Sequence, residues 1–432
     1  MTYEAAIWGF AAVFALMALR VPIGIALGVV GVVGYAVVVG PKPAMRLLAL
    51  SPLRTASDLN FAVVPLFIVM GVLARNAGIS ADLFTAFRTW FGSVRGGLGL
   101  ASIGACAGFA AVSGSSVATA ATMAKIAVPE MTRAGYDDRY AAATVAAGGT
   151  LGILIPPSVP FMIYGILTEN DIGTLFIAGI VPGILATLLY MLVIRLIAAR
   201  NPAAFPRGRA TSWAEKLASL RGVWAAGVIF SVVIGGIYGG IFTVNEAAGV
   251  GAAATLLTAL AQRRIGWDGI VASFTESVRT TGTLFTMLIG AILFSTFLTV
   301  TRAPQAVVDA LSGLALPAWG ILCLLLLMYF VLGWFLDALA MIIITVPIVY
   351  PVIIQLGYDP IWFGVIMVIA CEMGLLTPPY GINVFVINAV VPQISIPRIF
   401  RGVMPFIGID ILRLALIAAF PSIALFLPHL MR

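Results

Sequence analysis

Two stretches of this chain place oxygen-bearing residues inside apolar surroundings. "SGSS" runs from Ser113 to Ser116, and "GWFLD" runs from Gly333 to Asp337. A carboxylate such as Asp337 is costly in a membrane segment and by default marks a functional position. Hydroxyl, carbonyl and carboxylate oxygens are the donors that hard cations such as Na⁺ take. Two further stretches, "GTLGILIPPS" (Gly149 to Ser158) and "MGLLTPPYGIN" (Met373 to Asn383), share a glycine, a short apolar run and a proline pair. Proline has no N–H and its ring clashes with the preceding turn, so each pair breaks a helix and frees carbonyls. Such breaks persist at membrane depth only where protein, ions or water satisfy them.

The chemistry this spacing offers is cation binding at two places, with an anion nearby. The first cation set is Ser113, Gly114, Ser115, Gly149, Thr150 and Pro156; the second is Gly333, Asp337, Gly374, Thr377, Pro378 and Asn383. Ser115, Ser116, Pro157, Ser158, Pro379 and Asn383 are the candidates for contact with substrate. Discontinuous helices at symmetric positions mark secondary transporters, with half-helix N-termini favouring an anion and freed carbonyls coordinating cations. Glu372, beside Met373 and Gly374, could carry protons, bind a cation indirectly or pair with a basic residue not identifiable from the sequence. No arginine stands at a helix break to act as an anion clamp.

Each feature also has a plainer account. Serine and threonine in membrane helices commonly bond their own backbone or a neighbouring helix, and one proline need only kink a helix. Lys125 lies near the serines, but a snorkelling side chain explains it better than a Ser-Lys nucleophile pair. His429, the single histidine, falls at the C-terminal edge as a solvated residue. Cys106, Cys323 and Cys371 lack CxxC or Cys/His spacing and read as buried small apolar residues rather than a disulfide or transition-metal set.

The elements that position these residues are membrane helices. Of 432 residues 62% are hydrophobic and 9% charged, and apolar runs of about 17 to 25 residues recur from end to end, the length that crosses a bilayer. "MTYEAAIWGF" lacks a basic n-region and reads as the first permanent span. Crossings are expected near 5–19, 22–39, 61–78, 140–168, 172–198, 222–239, 243–261, 282–300, 360–392 and 402–428, with helical hairpins at 96–127 and 316–353. The net charge of +7 is dispersed through loops, so it reports orientation rather than affinity for nucleic acid.

An internal repeat organises these segments. "VPEMTRAGYD" (Val128 to Asp137) matches "YPVIIQLGYD" (Tyr350 to Asp359) at a shift of 222 residues, which also lays Pro156 and Pro157 on Pro378 and Pro379, Gly152 on Gly374 and Ser115 on Asp337. At a shift of 223, "GIVP" at Gly179 lies on "GVMP" at Gly402. The joining segment, with Arg200, Arg207, Arg209, Lys216 and Arg221, belongs in the cytoplasm, and counting crossings outward from it inverts the two halves. Eighteen Lys or Arg then fall inside and five outside (Lys42, Arg46, Arg54, Arg302 and Arg432). "PAMRLLALSPLRTASDLNF" and "RRIGWDGIVASFTESVRTTG" read as paired amphipathic helices in the interface. The expected fold is all-α and polytopic, with two inverted repeats, re-entrant hairpins and discontinuous helices.

"SGSSVATAATMAKIAVPEMTRAGYDDRYAAATVAAGGTLGILIPPSVPFMIYGILTENDIGTLFIAGIVPGIL" and "GLLTPPYGINVFVINAVVPQISIPRIFRGVMPFIGIDILRLAL" resemble the large membrane subunit of tripartite ATP-independent periplasmic (TRAP) transporters, of the DctM/SiaM type, with similar spacing over nearly the whole chain. The resemblance implies an elevator-type ion transporter fold in the bacterial inner membrane. It divides the chain into scaffold helices and an interfacial arm (1–60), transport half 1 (61–171), a scaffold helix with cytoplasmic linker (172–221), scaffold helices and arm (222–281), transport half 2 (282–393) and a C-terminal scaffold helix (394–432). It further implies Na⁺ as coupling ion without an organic cofactor, a small four-helix membrane subunit (DctQ-type) as a separate chain, and a periplasmic solute-binding protein (DctP-type). The cargo would be an organic anion such as a C4-dicarboxylate, keto acid or sugar acid. The competing expectations are a self-sufficient Na⁺/dicarboxylate symporter and, from another class, an intramembrane serine hydrolase, for which no histidine or acid partner is in place. No P-loop supports an ATPase.

Overall fold

In the computed structural model, which describes residues 2–313 and 316–430, every regular element among the described residues is a helix. The first repeat comprises α1 (Thr2–Ala18), α2 (Ile23–Val38), α3 (Pro41–Ser57), α4 (Val63–Asn76), α5 (Ile79–Phe91), α6 (Gly97–Ser113), α7 (Ser116–Arg133), α8 (Asp138–Leu154), α9 (Val159–Thr168) and α10 (Ile172–Arg200). The second comprises α11 (Trp213–Tyr238), α12 (Val244–Ala261), α13 (Trp267–Val300), α14 (Ala303–Ser312), α15 (Ala318–Leu332), α16 (Ala338–Gln355), α17 (Pro360–Gly374), α18 (Ile382–Val390), α19 (Ile396–Ala419) and α20 (Ser422–Leu430). Eight helical stretches are long and apolar enough to cross a membrane, and five shorter apolar helices accompany them. The chain is a multi-pass membrane protein.

The repeat is visible in the capping chemistry. Asp137 accepts the Arg139 N–H at 2.9 Å to start α8, and Asp359, its counterpart 222 residues on, accepts the Ile361 and Trp362 N–H groups at 2.8 and 3.0 Å to start α17. α11 and α12 open on reciprocal capping boxes, Ser212 with Glu215 and Thr243 with Glu246. The Ser212 N–H donated to Glu215 holds that exposed carboxyl below its ordinary range.

Cross-repeat packing joins the halves. α2 lies on α13 and α12 lies on α4, the same pairing made twice. Small residues set the first of these: a Cβ on Gly290 would stand 2.1 Å from the Gly24 carbonyl oxygen, so the backbones nearly touch. The second half of each broken helix lies on the returning arm of the other repeat's hairpin, α9 on α16 and α18 on α7. The α8–α9 stretch buries 78% of its apolar window inside the protein against 28% for α11, which places the breaks centrally and α11 toward lipid.

Four details depart from the expectations. The second interfacial arm is not a separate helix, because no cap or proline interrupts Trp267 to Val300, whereas Asp58 stops α3 and accepts the Asn60 N–H to start a short 3₁₀ turn. The short helices α5 and α14 precede the hairpins and were not anticipated; the last crossing divides at Pro421 into α19 and α20. Cys106 and Cys371 are buried but Cys323 is exposed on α15. Arg432, counted outside the membrane, lies outside the described residues.

Candidate functional site

The first hairpin turns on Gly114, whose φ of +63° is the left-handed region that glycine enters without a Cβ penalty. A Cβ there would also stand 2.8 Å from the Pro157 carbonyl oxygen, so the tip presses directly on the break. Ser115 caps α7 by accepting the Ala118 N–H at 3.3 Å. Ser113 Oγ and Thr119 Oγ1 lie 2.8 Å apart, and Thr119 donates to the Ser115 carbonyl at 2.8 Å. The Val159 N–H reaches across the break to the Gly114 carbonyl at 3.4 Å.

The second hairpin turns at Gly333 to Leu336 and restarts on Asp337, which caps α16 by accepting the Leu339 N–H at 3.3 Å. Asp337 thus does for α16 what Ser115 does for α7, as the shift of 222 implies. Gly333 meets Gly374 backbone to backbone: a Cβ on Gly333 would lie 2.7 Å from Gly374 Cα. Gly152, the counterpart of Gly374, meets the Ser115 carbonyl, 2.4 Å from where its Cβ would be.

The proline pairs deny N–H donors to the carbonyls four residues back. Ile153 recovers one from the Ser158 hydroxyl, and Leu375 recovers one from the Asn383 N–H at 3.1 Å. The Gly152 and Gly374 carbonyls accept no such bond among the described residues, and both glycines pack against a hairpin tip. Their carbonyls are the freed oxygens that the breaks were expected to produce. Gly152, which the repeat and the family resemblance place at the first break without making it a ligand, joins the site through its packing on the Ser115 carbonyl.

A cavity of about 410 Å³ gathers both tips. Its wall takes in Ser113 to Ala118, Val159 and Pro160 at the start of α9, Asp337 to Leu339, and Leu375. Three helix N-termini, those of α7, α9 and α16, therefore open on one space; the first N–H groups of α9 are taken by the Gly114 carbonyl and the Ser158 hydroxyl or missing at Pro160, so α9 adds its dipole, while α7 and α16 add dipoles and first-turn N–H groups that favour negative charge there. Arg75 at the end of α4 and Glu276 of α13 line the same cavity and pair with each other. Arg75 lies 81 positions before Pro156, in no motif, and joins the site only through the packing of α4.

Other candidates point elsewhere. Asn383 is buried and reaches into the first repeat, donating to Ser116 Oγ at 2.8 Å and to the Ala146 carbonyl at 3.2 Å. Ser158 caps α9 and is buried. Thr377 bonds back to the Met373 carbonyl at 2.6 Å. Gly149 packs on Ala120, and Pro156 lines a separate apolar groove with α5, α10 and α11. Pro378 is half-buried and Pro379 exposed.

Thr150 turns away from the tips to Tyr190 Oη at 3.1 Å, on α10. Tyr190 in turn donates to Asp410 at 2.8 Å. The basic partner of Glu372 is Arg413, which lies 3.1 Å from both Glu372 and Asp410 with all three side chains fully buried. This network fastens α10 and α19 to the broken helices α8 and α17.

Against known proteins, a family model described as "Tripartite ATP-independent periplasmic transporter, DctM component" matches residues 10–423. The C4-dicarboxylate TRAP transporter large permease protein DctM of Pseudomonas aeruginosa is 36% identical over 387 residues, covering 89% of this chain and 90% of that protein. The isethionate TRAP transporter permease protein DctMQ of Oleidesulfovibrio alaskensis is 30% identical over 430 residues, covering 97% of this chain and 65% of that longer protein. Among solved structures, the YdaH transporter of Alcanivorax borkumensis, described as having an unusual topology, superposes with a TM-score of 0.64 at 17% identity, covering 88% of this chain and 89% of that one.

Proposed function

Since the chain belongs to the DctM component family of tripartite ATP-independent periplasmic transporters, a family of transport proteins rather than enzymes, we propose that it is the large membrane subunit of a Na⁺-driven importer of organic anions in the bacterial inner membrane. The observation that carries this reading is the convergence of three helix N-termini on one cavity between the two hairpin tips. An anion held there is stabilised by the three helix dipoles and by first-turn N–H groups of α7 and α16. The relatives named for a C4-dicarboxylate and for isethionate fit a site that selects negative charge first.

Na⁺ would sit where a tip meets a break. One position combines the Ser115 backbone and the free Gly152 carbonyl; the other combines Gly333, the free Gly374 carbonyl and the Asp337 carboxylate. These are hard oxygen donors, as Na⁺ requires. Two cations beside an anion lower the cost of carrying its charge through the membrane.

The moving body comprises the hairpins and broken helices, α6 to α9 and α15 to α18, sliding against a frame that includes the α2–α13 and α12–α4 pairs, so α4 and the last part of α13 are placed in the frame rather than in the transport halves 61–171 and 282–393 expected from the sequence. We group α10 and α19 with the moving body, in place of the scaffold role expected from the sequence, because the buried Glu372–Arg413–Asp410–Tyr190 network ties them to it. A small membrane subunit and a periplasmic binding protein complete the assembly; the relative named DctMQ, of which this chain covers 65%, has length for a second component.

The test is uptake of labelled organic acids into proteoliposomes with and without a Na⁺ gradient, adding or omitting the small subunit and the binding protein. Uptake that needs Na⁺ and the binding protein supports the tripartite carrier. Uptake with Na⁺ but indifferent to the binding protein replaces it with a self-sufficient symporter, and uptake indifferent to Na⁺ removes the two cation positions.

A further inference from the structure

The cavity between the hairpin tips has a single basic side chain among its described lining residues, Arg75. It projects from the last turn of α4 beside Glu276 and Thr280 of α13. By the charge distribution this is the cytoplasmic end of α4. Arg75 Nη2 pairs with Glu276 Oε2 and its Nε lies 3.4 Å from Asn76 Oδ1, while Nη1 has no protein partner among the described residues. The Arg75 side chain is 26% exposed and that of Glu276 43%, so the pair is not sealed in the interior and can open without stranding a buried charge.

A guanidinium offers five donors in a fork that matches a planar oxyanion, and one carboxylate oxygen on one nitrogen leaves most of that fork unused. Arg75 and the three helix N-termini line one cavity, so an anion held at the N-termini shares its space with the guanidinium. We propose that Arg75 binds the oxyanion group of the transported solute, a carboxylate or sulfonate, and that Glu276 is its resting counter-ion, displaced as the solute arrives. This assignment rests on the anion reading above and adds to it the residue that receives the anion at the cytoplasmic end. The two side chains then have opposite effects on affinity. Glu276 competes with the solute and Arg75 holds it, whereas in a purely structural ion pair loss of either member would be felt in the same direction.

The experiment measures binding of succinate and of isethionate to the full chain, by calorimetry and by ligand-dependent thermal shift in Na⁺, for the wild type, Arg75→Gln, Arg75→Lys and Glu276→Gln. A tenfold or greater loss in Arg75→Gln, an intermediate value in Arg75→Lys, and equal or severalfold tighter binding in Glu276→Gln are expected, with half-saturation by Na⁺ unchanged. Size-exclusion profiles and ligand-free melting temperatures identify a variant that has failed to fold, and Arg75→Lys keeps the charge where Arg75→Gln is unstable. Unchanged affinity in folded Arg75→Gln, or equal weakening in Arg75→Gln and Glu276→Gln, overturns the assignment. A wild type that binds neither anion in Na⁺ defeats the anion reading itself, and with it the role of Arg75.

Discussion

Arg413 and Glu372 lie 3.1 Å apart with no exposed side-chain surface, in the position where the first repeat puts Tyr190 and Thr150, also 3.1 Å apart. Thr150 is carried onto Glu372 by the shift of 222 and Tyr190 onto Arg413 by the shift of 223. One contact between a broken helix and the helix after it is therefore made twice, once by two hydroxyls and once by two charges. Asp410 bridges them, accepting from Tyr190 at 2.8 Å and facing Arg413 at 3.1 Å.

Removing the guanidinium strands two carboxylates in the interior. Arg413→Met should cost about 3–5 kcal/mol, the range for breaking a buried pair. Adding Glu372→Gln and Asp410→Asn to Arg413→Met should recover much of the loss. Thermal unfolding of the purified chain in detergent reads both. Equal stability of Arg413→Met and wild type would show that the network does not hold α19 in place.

Asp337→Asn keeps the size of the side chain while removing its charge, and Ser115→Ala removes the equivalent cap from the first tip. Asp337→Asn should raise the Na⁺ concentration for half-maximal uptake at least tenfold, which corresponds to about 1.4 kcal/mol. Ser115→Ala should have a smaller effect, since the Ser115 and Gly152 backbone oxygens remain. Sodium titrations of uptake at fixed substrate decide this, and an unshifted titration in Asp337→Asn removes that carboxylate from the cation site.

Asn383 ties the second break to the first hairpin through Ser116 and the Ala146 carbonyl. In Asn383→Ala the Ser116 hydroxyl loses its partner in a buried place and the Ala146 carbonyl loses a donor, at about 1–3 kcal/mol. Uptake should fall more than the Na⁺ titration moves, because the side chain joins the repeats rather than facing the Asp337 tip. Ser116→Ala, which deletes the hydroxyl alone, should be the milder variant on both counts.

Gly374→Val tests the contact of the second tip with its break. Even a Cβ at Gly374 would lie 2.6 Å from Gly333 Cα, so the hairpin must move off the break. Overpacking of this kind costs about 1–3 kcal/mol. The sharper expectation is loss of Na⁺-dependent uptake in protein that still elutes as a folded species. Retained uptake would mean that tip and break need not touch.

Much of the architecture was open to a reading of the chain because its causes are local or periodic. Apolar length sets each span, proline pairs set the breaks, caps such as Asp137 and Asp359 set helix starts, and a constant shift of 222 residues exposes the repeat. The same shift sets Ser115 and Asp337 at equivalent tips, where each caps the returning helix. The folded arrangement decided which oxygens meet which. Ser116 and Asn383 are 267 residues apart, Glu372 and Arg413 are 41 apart, and Arg75 enters the cavity from a helix that carries no break. A side chain's type and its neighbours in sequence say what it can bond. Its actual partner depends on helix rotation and depth, which are set by the packing of many residues at once, and so Thr150 bonds Tyr190 rather than facing the tip it was expected to serve.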